Sequence, residues 1–316
     1  MTIPHEQPAM DWDSPEVKSC IAAALAEDIG GGDLTTDSIV PAEAQATARI
    51  VARQTLVVAG MPLAERVFRA RSDKIHFETV YADGQQAPRE KILARISGPA
   101  RAILTAERTA LNFLAHLSGI ATLTRRYSEA IAGTNAFIRD TRKTTPLLRA
   151  FEKYAVRAGG GRNHRFGLFD AILIKENHMA IAGGVAEALR RARSAAMPEP
   201  PEMTAYESFR PPADADASRQ ISIQVEVRNE AELREALEAG AESVLLDNAP
   251  PVEAARLIAF MRATRPKCVI EVSGGVNLSN VRAYAEAGAD YISIGALTHS
   301  APAADLSLLV DSTGVE

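Results

Sequence analysis

The chain has only two cysteines in 316 residues, Cys20 and Cys268, far apart and in no CxxC pair. Such spacing argues against a disulfide framework and against structural zinc, and leaves two small buried hydrophobes. No apolar run approaches the ~20 residues of a membrane span. The opening MTIPHEQPAMDWD carries neither a basic nor an apolar signal region, so a cytoplasmic protein with no membrane partner is expected. Positive charge is also in deficit, with 35 Lys+Arg against 40 Asp+Glu and a net charge of −5. A nucleic-acid binder is usually basic over a whole face, so no nucleic-acid partner is expected.

Against that background one stretch reverses sign. From Arg139 to Lys175 stand Arg139, Arg142, Lys143, Arg149, Lys153, Arg157, Arg162, Arg165 and Lys175, opposed only by Asp140, Glu152 and Asp170. A local basic cluster on an acidic chain is a funnel for a compact anion. Arg149, Lys153 and Arg157 fall in the helical run LLRAFEKYAVR and read as a solvated face. Arg142, Lys143 and Lys175 differ because each follows a strand-like run, AFIRDTRK or AILIK. They therefore emerge at strand ends, where parallel α/β folds bind ligands.

Chain order gives the architecture. Ser14 as N-cap and Pro15 in the first turn open a helix with an apolar stripe of Val17, Ile21 and Leu25, which EDIGGGDLTTD then breaks. Between Ala44 and Arg95 the segments ATARIVA, TLVVAG, KIHFETVYA and KILARIS read as strands around a helix, PLAERVFRA. A long helical pattern follows Pro99, with a kink expected near Gly119. We divide the chain there: an N-terminal α/β sandwich domain over 1–118, a (β/α) barrel with fewer than eight full strands over 119–300, and a C-terminal tail over 301–316 that packs back on the first domain. The barrel strands are NAFIR, AILIK, ISIQVEV, SVLLD, CVIEVS and DYISIG. LEAGAESVLLDN and AEAGADYISIGA echo one another, each ending a helix on Gly before a buried strand. A doubly wound open sheet is the alternative.

In a barrel the carboxyl ends of the strands converge on one mouth. That mouth collects Arg142, Lys143, Lys175, Glu226, Asp247, Ser273, Gly274, Gly275 and Gly295, with His299 nearby. The glycine pair in SGGVN lets backbone N–H groups approach a phosphate, though it also reads as a tight turn. Glu226 in IQVEV and Asp247 ending SVLLD need a cation, a metal or hydroxyls; a salt bridge competes with ribose or Mg²⁺ binding. Lys175 reads either as a Schiff-base amine or as a cation for a carboxylate. Arg142, Lys143, His164, Arg165 and Lys175 exceed what one phosphate requires, and suit a dicarboxylate, a pyrophosphate or both.

With these residues in place, the chain resembles the quinolinate phosphoribosyltransferases over nearly its whole length. The motifs are LAEDIGGGDLTTD, AERTALNFLAHLSGIAT, DTRKTTP, EKYAVRAGGGRNHR, LIKENH, VEV, LLDN, SGGVN and SIGALTHS. The resemblance implies phosphoribosyl transfer from phosphoribosyl pyrophosphate to quinolinate with decarboxylation, with Mg²⁺ and no organic cofactor. It implies a homodimer in which Arg108 reaches the neighbouring subunit's site. Arg142, Lys143, His164, Arg165 and Lys175 would bind the carboxylates and the pyrophosphate side. Glu226 and Asp247 would hold the ribose and Mg²⁺, and Ser273, Gly274, Gly275 and Gly295 the 5′-phosphate. Lys143, Lys175, Glu226 and Asp247 would carry the catalysis. Two departures stand out: Leu147 where the family usually has Gly, and a long stretch from Met197 to Gln220, expected as a mobile loop remote from the site. A relative acting on another pyridine acid, such as the enzyme encoded with molybdate transport systems, and a non-catalytic phosphosugar binder are the competing readings.

Overall fold

The computed structural model describes residues 10–195 and 222–314, so the expectation for Met197–Gln220 falls outside the described residues. Helix α1 (Pro15–Ile29) begins where its sequence says: the Ser14 hydroxyl accepts the Val17 N–H, and Val17, Ile21 and Leu25 are buried. The glycines after it do not lead into a plain loop. Asp33 accepts the Thr36 N–H at 3.0 Å and starts a second short helix, α2 (Leu34–Ile39).

Next come β1 (Gln45–Ala52), β2 (Leu56–Val57), α3 (Met61–Arg71), β3 (His76–Thr79), β4 (Gln86–Ala87) and β5 (Ile92–Pro99). The short β4, paired with β2, has no counterpart among the sequence-predicted strands. β1, β5 and β3 join an antiparallel sheet whose remaining member is β12 (Leu306–Gly314), running back from the C-terminal end along β1 from Leu306↔Ala52 to Gly314↔Gln45.

The helix after Pro99, α4 (Ala100–Ala130), is continuous for 31 residues, about 46 Å at 1.5 Å per residue, and runs unbroken through Gly119. Gly119 has another job. A Cβ there would overlap the Pro302 carbonyl, because the chain returning to β12 crosses α4 at this point. The Ala304 N–H donates to the Ala115 carbonyl at 2.9 Å beside that crossing. The glycine provides close approach, not flexibility.

The remainder alternates strand and helix: β6 (Phe137–Arg139), α5 (Arg149–Ala158), β7 (Ile172–Ile174), α6 (Glu176–Ala182), α7 (Val185–Ser194), β8 (Ile223–Val227), α8 (Glu230–Glu238), β9 (Ser243–Asp247), α9 (Pro251–Thr264), β10 (Val269–Ser273), α10 (Val281–Glu286), β11 (Tyr291–Ser293) and α11 (Ala296–His299). The six strands pair in parallel in the order β6-β11-β10-β9-β8-β7. A doubly wound sheet reverses its strand order at a switch point. Here β7 to β11 run in sequence and the first strand lies beside the last, which is the wrap of a partial barrel. A parallel bridge between Arg139 and Arg162 extends the wrap beyond β6.

Alternation along the strands separates two faces. Val225, Val227, Val244, Leu246, Ile270, Val272, Ile292 and Ile138 are at most 1% exposed and belong to the apolar core shared with the surrounding helices. Burial of each such side chain stabilises by about 1.5–3 kcal/mol. The intervening residues face the barrel interior and are largely polar.

Candidate active site

Residues level with one another in a parallel sheet share a face, so the register reads out the interior. Glu226 is level with Leu245, Leu245 with Glu271, and Glu271 with Tyr291. Two residues further on, Asp247 is level with Ser273, Ser273 with Ser293, and Ser293 with Arg139. Lys175 follows Ile174, the partner of Val225, and so stands level with Glu226. One interior rim thus carries Lys175, Glu226, Asp247, Ser273 and Arg139 at the carboxyl ends of their strands.

Lys175 Nζ donates to Glu226 Oε2 at 2.8 Å, with the side chains 47% and 14% exposed. A Schiff-base amine needs apolar enclosure, which a half-exposed, ion-paired lysine lacks, so that reading is set aside. Asn248, at φ 54°, donates its side-chain amide to Asp247 Oδ2 at 2.8 Å and its N–H to the Ser273 carbonyl at 2.8 Å. It passes so close to Gly274 (φ +89°) that a Cβ on Gly274 would overlap Asn248 Oδ1. Gly274 therefore needs to be glycine both for its backbone conformation and for space. Gly295 sits in ordinary helical backbone, and a Cβ there would lie 3.0 Å from His299 Nε2 and 3.2 Å from Lys143 Cδ, so the two side chains pack closely over it. The Thr298 hydroxyl donates to the Lys143 carbonyl at 2.8 Å. The DTRK and SIGALTHS motifs meet here.

On the basic side, Arg142 Nε and Arg165 Nε are buried and have no hydrogen-bond partner among the described residues. Burial, and then the charge of Arg142, hold the Arg165 guanidinium below its ordinary pKa, so the two cations bear on one another. Buried donors left unpaired are costly, and two beside each other call for an anion.

His164 is engaged differently. Its Nδ1 accepts the Arg165 N–H at 2.8 Å, and its Nε2 stands 3.4 Å from Glu271 Oε1. An accepting Nδ1 leaves the proton on Nε2, the neutral tautomer, and burial lowers the ring's pKa in the same sense. Glu271, fully buried, also receives Arg139 Nη1 at 2.9 Å, Gln224 Nε2 at 3.0 Å and the Ser293 hydroxyl. Burial works against ionising Glu271; the charge of Arg139 and the Ser293 and Gln224 donors act the other way, and its pKa is held below the usual carboxylate value.

The solvated face expected on α5 is not there. Lys153 is 1% exposed and lies 2.6 Å from Asp140. Arg149 bridges the Thr144 hydroxyl at 3.0 Å and the Phe166 carbonyl at 3.1 Å, and Arg157 reaches Asn163 Oδ1 at 3.3 Å. The i, i+4, i+8 stripe faces the two loops that carry the site cations. A sequence signal existed: α5 holds a single acid, Glu152, so its bases had to find partners outside the helix. Glu271 was equally readable, since VIEVS repeats the buried-acid pattern of IQVEV.

Arg108 stands exposed on α4, and no hydrogen bond or ion pair joins it to the other candidate residues. Among the described residues no cluster of three or more His, Cys, Asp or Glu could hold a metal. Glu226 and Asp247, two carboxylates on one rim, fit the mode in which Mg²⁺ takes one or two protein carboxylates and completes its shell with phosphate oxygens and water.

Residues 33–118 match the family model of the quinolinate phosphoribosyl transferase N-terminal domain, and residues 120–207 and 203–309 that of its C-terminal domain. The Mycobacterium leprae nicotinate-nucleotide pyrophosphorylase (carboxylating) is 39% identical over 303 residues, covering 94% of this chain and 98% of the relative. The Nicotiana tabacum quinolinate phosphoribosyltransferase (decarboxylating) 2a, mitochondrial, is 34% identical over 310 residues, 94% of this chain and 83% of the relative. The solved structure of the Francisella tularensis nicotinate-nucleotide pyrophosphorylase superposes with a TM-score of 0.83 at 36% identity, covering 96% of this chain and 100% of that one.

Proposed function

The chain belongs to the quinolinate phosphoribosyltransferase family, and on that premise we propose that its barrel mouth joins quinolinate to the ribose of phosphoribosyl pyrophosphate, releasing pyrophosphate and CO₂ and leaving nicotinate mononucleotide. The observation that supports this most is the pair of buried, unpartnered guanidinium nitrogens of Arg142 and Arg165, a site for a compact polyanion. Arg142, Lys143, Arg165 and Lys175 bind the two carboxylates and the pyrophosphate side. His164, whose ring contacts lie within the chain, acts here by holding Arg165. Ser273, Gly274, Gly275 and Gly295 take the 5′-phosphate.

The pyridine nitrogen attacks ribose C1 as the C1–O bond to pyrophosphate breaks. The resulting pyridinium then accepts the electron pair of the C2–carboxylate bond as CO₂ leaves, and C2 takes a proton from water. Glu226 and Asp247 place negative charge beside the cationic, oxocarbenium-like ribose of the first transition state. Glu226 and Asp247 would hold Mg²⁺, which would supply charge neutralisation of the pyrophosphate leaving group. The enzyme acts as a cytoplasmic homodimer in which Arg108 completes the partner's site.

Incubation with quinolinate, phosphoribosyl pyrophosphate and Mg²⁺ yields nicotinate mononucleotide by chromatography, and nicotinate in place of quinolinate yields little. Equal turnover of the monocarboxylate would reject the dicarboxylate reading; no nucleotide from either acid would reject the reaction.

A further inference from the structure

Lys153 and Asp140 lie 2.6 Å apart with side chains 1% and 0% exposed. Exchanging such a pair for apolar groups of similar size is often neutral or stabilising, so stability alone gives no reason for it. What the pair holds is one peptide unit on each side of one residue. Asp140 Oδ1 accepts the His164 N–H at 2.7 Å, and Lys153 Nζ donates to the His164 carbonyl at 2.9 Å. Asn163 reinforces both, donating its amide to Asp140 Oδ2 at 2.5 Å and to the Lys153 carbonyl at 2.9 Å.

The clamp joins two loops. Asp140 leads directly into the loop of Arg142 and Lys143, and His164 directly precedes Arg165 and ties its N–H through Nδ1. Those loops carry like charges, the Arg142 and Arg165 guanidiniums, each with a buried Nε that has no partner among the described residues. An unheld pair would splay, and each ligand would then have to gather it. A fixed pair is a preorganised one, and a displacement of about 1 Å at such a site changes rates by about 100-fold.

We propose that Lys153 and Asp140 are positioning residues for dicarboxylate recognition, setting the spacing of Arg142 and Arg165 without touching substrate. This rests on the reading of Arg142 and Arg165 as quinolinate ligands. The test compares four proteins by quinolinate calorimetry, steady-state kinetics for both substrates and thermal unfolding: wild type, Arg165→Ala, Lys153→Met with Asp140→Asn, and Lys153→Arg. The double variant removes both buried charges together and keeps the shape of each side chain. Its quinolinate Kd and KM rise about 10- to 100-fold while the KM for phosphoribosyl pyrophosphate stays within about threefold. A structural role would instead lower the melting temperature and weaken both substrates alike, and that result overturns the proposal. Should the double variant not fold, Lys153→Arg decides: it keeps the charge but not the geometry of the two-way contact, so it selectively raises the quinolinate KM, and an unchanged value overturns the proposal. If Arg165→Ala weakens quinolinate and neither clamp variant does, the clamp alone is wrong. If Arg165→Ala is also neutral, the site reading falls with it.

Discussion

Lys175 Nζ stands 2.8 Å from Glu226 Oε2, so the cation proposed for the pyridine acid is closed on the anion proposed for the ribose. A half-exposed pair contributes about 0–1 kcal/mol to stability. Glu226→Gln therefore leaves the melting temperature within about 3 °C. The same change lowers kcat by about 100- to 1,000-fold, the scale of losing one oriented charge at a developing cation. Steady-state kinetics with a thermal melt measure both, and a near-normal kcat would remove Glu226 from the ribose.

Arg108 is exposed on α4 and joined to no other candidate residue of its own chain. Subunits carrying Arg108→Ala and subunits carrying Lys143→Ala, each inactive alone, recover part of the activity when mixed, because one hybrid site then holds both native residues. Full inactivity after demonstrated subunit exchange would mean that Arg108 acts within its own chain.

The ring of His164, faced by Glu271, Arg139, Asp140 and Lys153, is kept below its ordinary pKa of 6.5 by burial. Above that pH the ring is neutral in both folded and unfolded chains. As pH falls through 6.5 the unfolded chain takes up a proton that the folded one resists. Stability is thus lost towards acid, at up to about 1.4 kcal/mol per pH unit for this one group, until the folded-state pKa is reached. Glu271, also depressed, adds its loss further towards acid. Urea unfolding at pH 7.5, 6.5 and 5.5 shows a steeper decline for wild type than for His164→Gln; parallel profiles would contradict the neutral buried ring.

Leu147 sits at φ 67° with 78% of its surface exposed. A left-handed conformation costs a non-glycine residue about 1–2 kcal/mol, and glycine brings back about 0.5–1 kcal/mol as unfolded-chain entropy. Leu147→Gly should raise stability by about 0.5–1 kcal/mol, since little burial is lost. A fall in the melting temperature would show that the exposed leucine is covered by something in solution.

Much of this site was legible because the strands announce it. SVLLD and AILIK end in a charged residue after an apolar run, IQVEV carries one next to its end, and a parallel sheet gathers such ends on one rim. Lys153, Asp140 and Glu271 were not found, although all are buried at the centre. The single acid of α5 and the acid inside VIEVS mark Lys153 and Glu271 as needing partners, but those partners come from segments 13 to 132 residues distant, and no local pattern says which they are. The close approach at Gly119 was hidden for a related reason: glycine in a helix reads as a weak point from the sequence, whereas here a strand connector crosses over it.

In the proposed reaction one mouth performs displacement at ribose C1 and loss of the 2-carboxylate as successive steps on one substrate. Quinolinate labelled with ¹³C in the 2-carboxylate, supplied with phosphoribosyl pyrophosphate and Mg²⁺, should release labelled CO₂ and pyrophosphate in equal amounts throughout the time course. Pyrophosphate released without labelled CO₂, or labelled CO₂ released without phosphoribosyl pyrophosphate present, would contradict it.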